Sequence, residues 1–201
     1  DPAKWGDHSG WVIKNNILET FEAYGFELTN ASNSVIEGNI IHSNATWNLA
    51  STCILVDARR NMSDIEIVDN VIDGEVYAGY PAVYIFAADY ETSPVNLDNV
   101  LVEGNTITTT SSTNSPQIMI YNNGATSTVT NVKIELNDLD KLRNVNTPGI
   151  DASPNWWGQA TGPVAGQIVG SNVSYIPWCT DAACNWSGRE GSDEPALEPD
   201  R

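Results

Sequence analysis

WVIKNNIL (Trp11 to Leu18) and SVIEGNII (Ser34 to Ile41) decide how this chain is read, because the same pattern returns three more times. It recurs as IEIVDNVI (Ile65 to Ile72), VLVEGNTI (Val100 to Ile107) and VKIELNDL (Val132 to Leu139). Each copy alternates apolar, mostly β-branched residues with polar ones and places an asparagine at the same point. The aligned asparagines are Asn16, Asn39, Asn70, Asn105 and Asn137, spaced by 23, 31, 35 and 32 residues. Self-similarity at such a period marks a repeat architecture. The period within each copy is two, which argues for strands and excludes helical repeats. Each segment therefore reads as two short strands bent at the asparagine. A short amide suits that corner, because it tolerates left-handed backbone angles and can hydrogen-bond to the same residue one repeat away. Gly38 and Gly104, just before it, serve the same turn.

A second set lies between the asparagine segments: GFELT (Gly25 to Thr29), CILVD (Cys53 to Asp57), AVYIF (Ala82 to Phe86), QIMIY (Gln117 to Tyr121) and GIDAS (Gly149 to Ser153). Their alternation predicts that Phe26/Leu28, Ile54/Val56, Val83/Ile85, Ile118/Ile120 and Ile150/Ala152 point inward. Pro81, Pro116 and Pro148 each stand two residues before the first inward position, where a loop re-enters a strand. Together the two sets predict an all-β, right-handed parallel β-helix, a solenoid of about five rungs with three short strands each. At about 4.8 Å per strand, the rod is on the order of 20–25 Å long. A β-sandwich would also supply short strands, but not an asparagine in register at every repeat.

A solenoid must close its last turn. DASPNWWGQATGPVAGQIVGSNVSYIPWC follows the fifth repeat and concentrates Trp156, Trp157 and Trp178, large aromatics suited to covering an open apolar end. The expected organisation is a capped β-helix over 1–184 and an acidic, Pro-containing linker or tail over 185–201.

Acids outnumber bases 26 to 9 among 201 residues, a formal charge of −17. Such a field repels phosphate backbones and anionic lipid, which argues against nucleic acid and membrane surfaces as partners. It also disfavours polyanionic substrates unless a cation intervenes. No run of apolar residues is long enough to span a bilayer. Asp1 shows neither an initiator Met nor a signal-peptide pattern, which predicts a processed product or a fragment of something longer. Cys179 and Cys184 are close enough to close a small loop by disulfide, whereas Cys53, inside an apolar run, reads as a buried thiol. With three cysteines and two histidines, a zinc site is not expected. His8 and His42 lack a visible acid–base partner and read as surface residues.

NWWGQATGP, followed some fifteen residues on by YIPWC, resembles the C-terminal close of parallel β-helix repeat regions in large bacterial and archaeal secreted or surface proteins. The asparagine segments are similar to the pectate-lyase-like superfamily of the same architecture. The resemblance covers Trp11 to Cys184 and implies an extracellular or cell-surface location. It implies no particular reaction, since the fold carries lyases, hydrolases, epimerases and inert stalks alike.

In the second set, the outward positions are expected to form two columns. One is Glu27, Leu55, Tyr84, Met119 and Asp151; the other is Thr29, Asp57, Phe86, Tyr121 and Ser153. Leu55, Tyr84, Phe86, Met119 and Tyr121 are expected to make an exposed apolar and aromatic patch of the kind that meets a partner, a ligand or a covering loop. Trp47, Tyr77 and Tyr80, carried on loops Ser43–Ser51 and Gly74–Pro81, could wall it as a sugar-binding face. Two functions follow. The first is a structural or adhesive surface module that binds polysaccharide or surface glycan, or packs against copies of itself. The alternative is a polysaccharide-degrading enzyme, glycoside hydrolase or lyase, with Glu27 and Asp57 as the carboxylate pair and Arg59 nearby for an anionic group. Clustered oxygens at Asp57, Asp64, Asp69 and Asp73 would suit calcium, but no calcium-binding motif is present and no cofactor is assigned. Sequons at Asn30, Asn44, Asn61, Asn172 and Asn185 are candidate glycosylation sites.

Overall fold

In a computed structural model of the chain, residues 6–19, 21, 23–44, 52–89, 93–110 and 115–184 are described. They contain strands and no helix. The first strands are β1 (His8–Ser9), β2 (Val12–Lys14), β3 (Ile17–Glu19) and β4 (Tyr24–Thr29). Next come β5 (Ala31–Ser32), β6 (Ser34–Glu37), β7 (Ile40–Ser43) and β8 (Thr52–Ala58). The following repeats give β9 (Met62–Val68), β10 (Val71–Gly74) and β11 (Val83–Ala87), then β12 (Asn96–Glu103), β13 (Thr106–Ile107) and β14 (Ile118–Asn122). The chain ends its strands with β15 (Thr128–Glu135), β16 (Leu142–Val145), β17 (Ile150–Asp151), β18 (Ile168–Val169) and β19 (Val173–Ser174).

Every strand pairing is parallel, and each strand pairs with its counterpart one repeat away. The seven-stranded sheet runs β2-β6-β9-β12-β15-β17-β19, the four-stranded one β3-β7-β10-β13 and the six-stranded one β4-β8-β11-β14-β16-β18, with a β1-β5 pair beside them. Parallel neighbours need long connections, so strands from three sheets follow one another along the chain before the first sheet is revisited. The arrangement is consistent with a parallel β-helix-like fold.

Between the seven- and four-stranded sheets, the asparagines pile into one file. Asn16, Asn39, Asn70 and Asn105 each donate their backbone N–H and side-chain Nδ2 to Oδ1 of the next, at 2.9–3.0 Å. Asn137 does the same to Asn155. Asn155 belongs to NWWG and is a sixth member that the repeat alignment left out. Nδ2 of Asn39, Asn70, Asn105, Asn137 and Asn155 also caps a carbonyl one repeat back, on Ile13, Ile36, Ile67, Val102 and Ile134. The left-handed corner residue is not the asparagine itself but the one before it: Asn15 (φ 56°), Gly38 (63°), Asp69 (54°), Gly104 (67°) and Leu136 (57°). The asparagine keeps ordinary backbone angles because its amide must lie along the file.

Inward positions stack in columns. Ile36, Ile67, Val102 and Ile134 are fully buried, as are Ile54, Val83 and Ile118. Ile41, Ile72, Ile107, Leu139 and Trp157 form another buried column, Trp157 being 1% exposed. Trp178 packs partly buried against the same core, and a disulfide joins Cys179 to Cys184 with Cα atoms 5.1 Å apart. Cys53 is buried, and desolvation pushes its thiol up to about 12.

One alignment needs correcting. The strand that continues Ile118/Ile120 is β16, where Leu142 and Asn144 take the inward positions. GIDAS instead extends the seven-stranded sheet, since Asp151 pairs with Lys133. The cause is loop length: the chain passes from Asn137 to β16 almost directly, and the final ladder interval falls to 18 residues. Pro148 accordingly marks entry into a different sheet from Pro81 and Pro116.

Asn105→Ala would leave the buried Asn70 backbone N–H without its acceptor, strip one of the two acceptors from Asn70 Nδ2 and remove a side-chain donor from the Ile67 carbonyl. It is expected to cost about 3 kcal/mol or more in urea unfolding, against less than about 1 kcal/mol for Asn16→Ala at the exposed end. Leu136→Asn, which relieves a branched side chain at φ 57°, is expected to raise the thermal midpoint by about 2–4 °C.

Candidate functional site

The outer face of the six-stranded sheet carries the candidate site, and strand register sets its layout. Glu27, Leu55, Tyr84, Met119 and Arg143 stand side by side in one column. Thr29, Asp57, Phe86, Tyr121 and Val145 stand in the other. The first four members of each column match the sequence reading; Arg143 and Val145 replace Asp151 and Ser153, for the loop-length reason given above.

The aromatic side chains touch. Tyr84 and Phe86 have ring centroids 5.5 Å apart at 48°, and Phe86 and Tyr121 5.8 Å apart at 56°. All three are half-buried, and Leu55 and Met119, which flank Tyr84 in its column, are buried instead of exposed because the neighbouring side chains cover them. Tyr80, on the segment before β11, packs against Tyr77 at 6.3 Å. Burial pushes the Tyr84 hydroxyl up to about 12, helped by Tyr121, Tyr80, Asp57 and Tyr24. Burial likewise raises Tyr24, with Glu27, Tyr80 and Asp57 adding to it and Arg59 opposing. Four phenols and two carboxylates thus share one field on this face.

Tyr24 was missing from the sequence reading. It has the same parity as the inward Phe26 and Leu28, so alternation assigns it to the core, yet it is 39% exposed. The break falls at Gly25, where a Cβ would come within 2.5 Å of the Cys53 carbonyl oxygen. Trp47 lies outside the described residues.

Asp57 is the unusual member. It faces outward by register yet is only 4% exposed. Its Oδ2 accepts from Arg59 Nε at 2.7 Å, while Oδ1 is buried with no hydrogen-bond partner among the described residues. Burial raises its pKa and the neighbouring Glu27 charge adds to the rise; the Arg59 hydrogen bond and charge oppose it. Glu27 is exposed, its Oε1 accepting from Thr29 Oγ1 at 2.8 Å. The arrangement offers an aromatic surface, an exposed carboxylate and a buried carboxylate with one unused acceptor.

Other candidates lie apart. Asp64 and Asp69 sit at the seven-stranded sheet and Asp73 in the four-stranded one. Among the described residues, no group of three or more His, Cys, Asp or Glu is placed to hold a metal. His42 does have a partner, Asp73 Oδ1 at 2.5 Å, because parallel register sets the two residues side by side across exposed strands. Of the sequons, Asn30 is buried at 3% exposure, its Oδ1 accepting from the Arg59 backbone N–H. Asn44, Asn61 and Asn172 are exposed, and Asn185 lies outside the described residues.

A carboxylate whose folded pKa is raised penalises the fold once ionised, so stability is full below its unfolded pKa and declines as pH rises through the folded value. Asp57→Asn is therefore expected to raise the thermal midpoint at neutral pH. That advantage should shrink as the pH is lowered through the carboxylate range, measured by calorimetric melts across pH.

No known protein family, curated protein or solved structure matches the chain.

Proposed function

We propose that this chain is a right-handed parallel β-helix module of about five rungs, three strands each, closed at its C-terminal end by the aromatic-rich segment after Ile150. We further propose that it works outside the cell as an adhesive or structural element whose outer aromatic face binds polysaccharide or surface glycan. The sheet order and the asparagine file support the first reading. The burial of Trp157 at the end of a core column supports the closed end. The parallel crossings are taken as right-handed, the hand such connections almost always adopt.

One observation carries the functional reading: Tyr84, Phe86 and Tyr121 form a continuous aromatic surface across two outward-facing strands. Sugar rings present apolar C–H faces that lie well on aromatic rings, while their hydroxyls seek polar groups at the margin. Asp57, Arg59, Glu27 and the tyrosine hydroxyls supply that margin. The chain's −17 charge favours neutral or cationic glycans over uronate polymers.

A second reading is favoured by the carboxylates. Glu27 and Asp57 share the face on adjacent strands, and Asp57 holds its proton more tightly than an ordinary carboxylate. One protonated and one ionised carboxylate are what glycoside hydrolysis requires.

Titration calorimetry with a panel of neutral, basic and acidic oligosaccharides tests the first reading. Binding is expected, and Tyr84→Ala should weaken it by about tenfold. Absence of binding across the panel would sink the glycan-binding reading. Release of reducing ends or unsaturated products, abolished by Asp57→Asn in a folded variant, would instead establish the enzyme.

A further inference from the structure

We propose that the glycan bound by this face is built of amino sugars, with a free ammonium group donating to Oδ1 of Asp57 while neighbouring sugar rings rest on the Tyr84–Phe86–Tyr121 surface. The inference rests on the glycan-binding reading and adds the chemical class of the ligand.

The starting point is the Asp57 carboxylate. Its Oδ2 is held by Arg59, while Oδ1 has no hydrogen-bond partner among the described residues and is closed to solvent, so an incoming donor reaches it by displacing the side chains that cover it. A buried acceptor without a donor is costly, and more so when it carries charge. The residue stands on an outward-facing position of β8, beside Phe86 in the same column. The group that would satisfy Oδ1 must be a donor, and a charged donor satisfies it best.

Two further features select a cation over a neutral hydroxyl. Phe86 stands beside Asp57 in its column, with Tyr84 close enough to feel the carboxylate's charge, and aromatic rings attract cations within about 6 Å. The charge of the chain is −17, and on this face Glu27 and Asp57 stand with Arg59, which is paired to Asp57, while Arg143 lies beyond Met119. An ammonium brought here meets attraction from two carboxylates and the rings together, whereas a uronate or sulfate meets repulsion. The same burial that raises the proton affinity of Asp57 raises its attraction for any other cation able to reach it. N-acetylation removes the charge and two of the three donors, so the acetylated and free forms of one sugar differ at the atom that matters.

The test compares the wild-type chain on chitosan oligosaccharide and on the N-acetylated chitin oligosaccharide of equal length, by titration calorimetry at mildly acid pH where the amine is protonated. The free-amine form is expected to bind tighter by about tenfold or more. That advantage should fall with added salt. Asp57→Asn, with its β-sheet circular dichroism retained, should remove the preference while leaving residual binding of the acetylated form. Equal binding of the two oligosaccharides by the wild-type chain would overturn the amino-sugar assignment while leaving the glycan-binding reading intact. Binding of neither, together with a negative neutral panel, would overturn both. A preference that survives in Asp57→Asn would also overturn the assignment, since the ammonium would then be held elsewhere.

Discussion

The side-chain amide of asparagine is the interaction on which the rest of this molecule depends. Six of them lie in one file: each after Asn16 accepts two hydrogen bonds on Oδ1 from its predecessor, and each before Asn155 donates onward through its backbone N–H and Nδ2. A file of this kind fixes register absolutely. If any repeat slipped by one residue, a buried amide would face an apolar side chain, and every core residue of that strand would turn to solvent. The seven- and four-stranded sheets are in phase because they share the corner that this file holds.

Spacing between repeats is free by comparison. Ladder intervals range from 18 to 35 residues, yet the stacking continues unbroken. The surplus length leaves the sheets as loops, whose closure cost grows only slowly with length. Such a fold keeps its interior constant while varying what it displays. The six-stranded sheet shows this. Its inward pairs Ile54/Val56, Val83/Ile85 and Ile118/Ile120 are interchangeable Ile and Val, while its outward residues pass from Glu27 and Thr29 through Leu55 and Asp57 to the aromatic set.

How much of this was legible in the sequence follows from the same division. The asparagine columns, the parity of the strands and the first four members of each outward column could be read directly, because each is dictated by period two and a shared corner. The fifth member of the second set could not. GIDAS offers an apolar alternation and LRNV does not, since its inward positions are Leu142 and Asn144, so alternation points to the wrong segment and only the shortened loop after Asn137 selects the right one. Asn155 was also in plain view within NWWG, but no alternating strand leads into it. The exposure of Tyr24 arises where Gly25 lets one backbone approach another, which alternation does not encode. Least legible was the state of Asp57. Its outward parity suggests a solvated carboxylate, and its burial depends on what its neighbours cover. The pairing of His42 with Asp73, residues 31 apart in sequence, is of the same kind, visible only once register is known.

The asparagine file also has a direction. From Asn39 to Asn137, each ladder amide turns its oxygen toward the preceding asparagine and donates from Nδ2 to the following one, so the individual dipoles add instead of cancelling. The interior therefore carries an electrical axis, with its negative pole beside Asn16 and its positive pole at Asn155, much as aligned peptide units polarise an α-helix. Lys14, whose carbonyl accepts from Asn16 Nδ2, lies at the pole where a cation is favoured. A protein without a single helix among its described residues has in this way acquired a helix-like macrodipole, assembled from side chains and running across its strands.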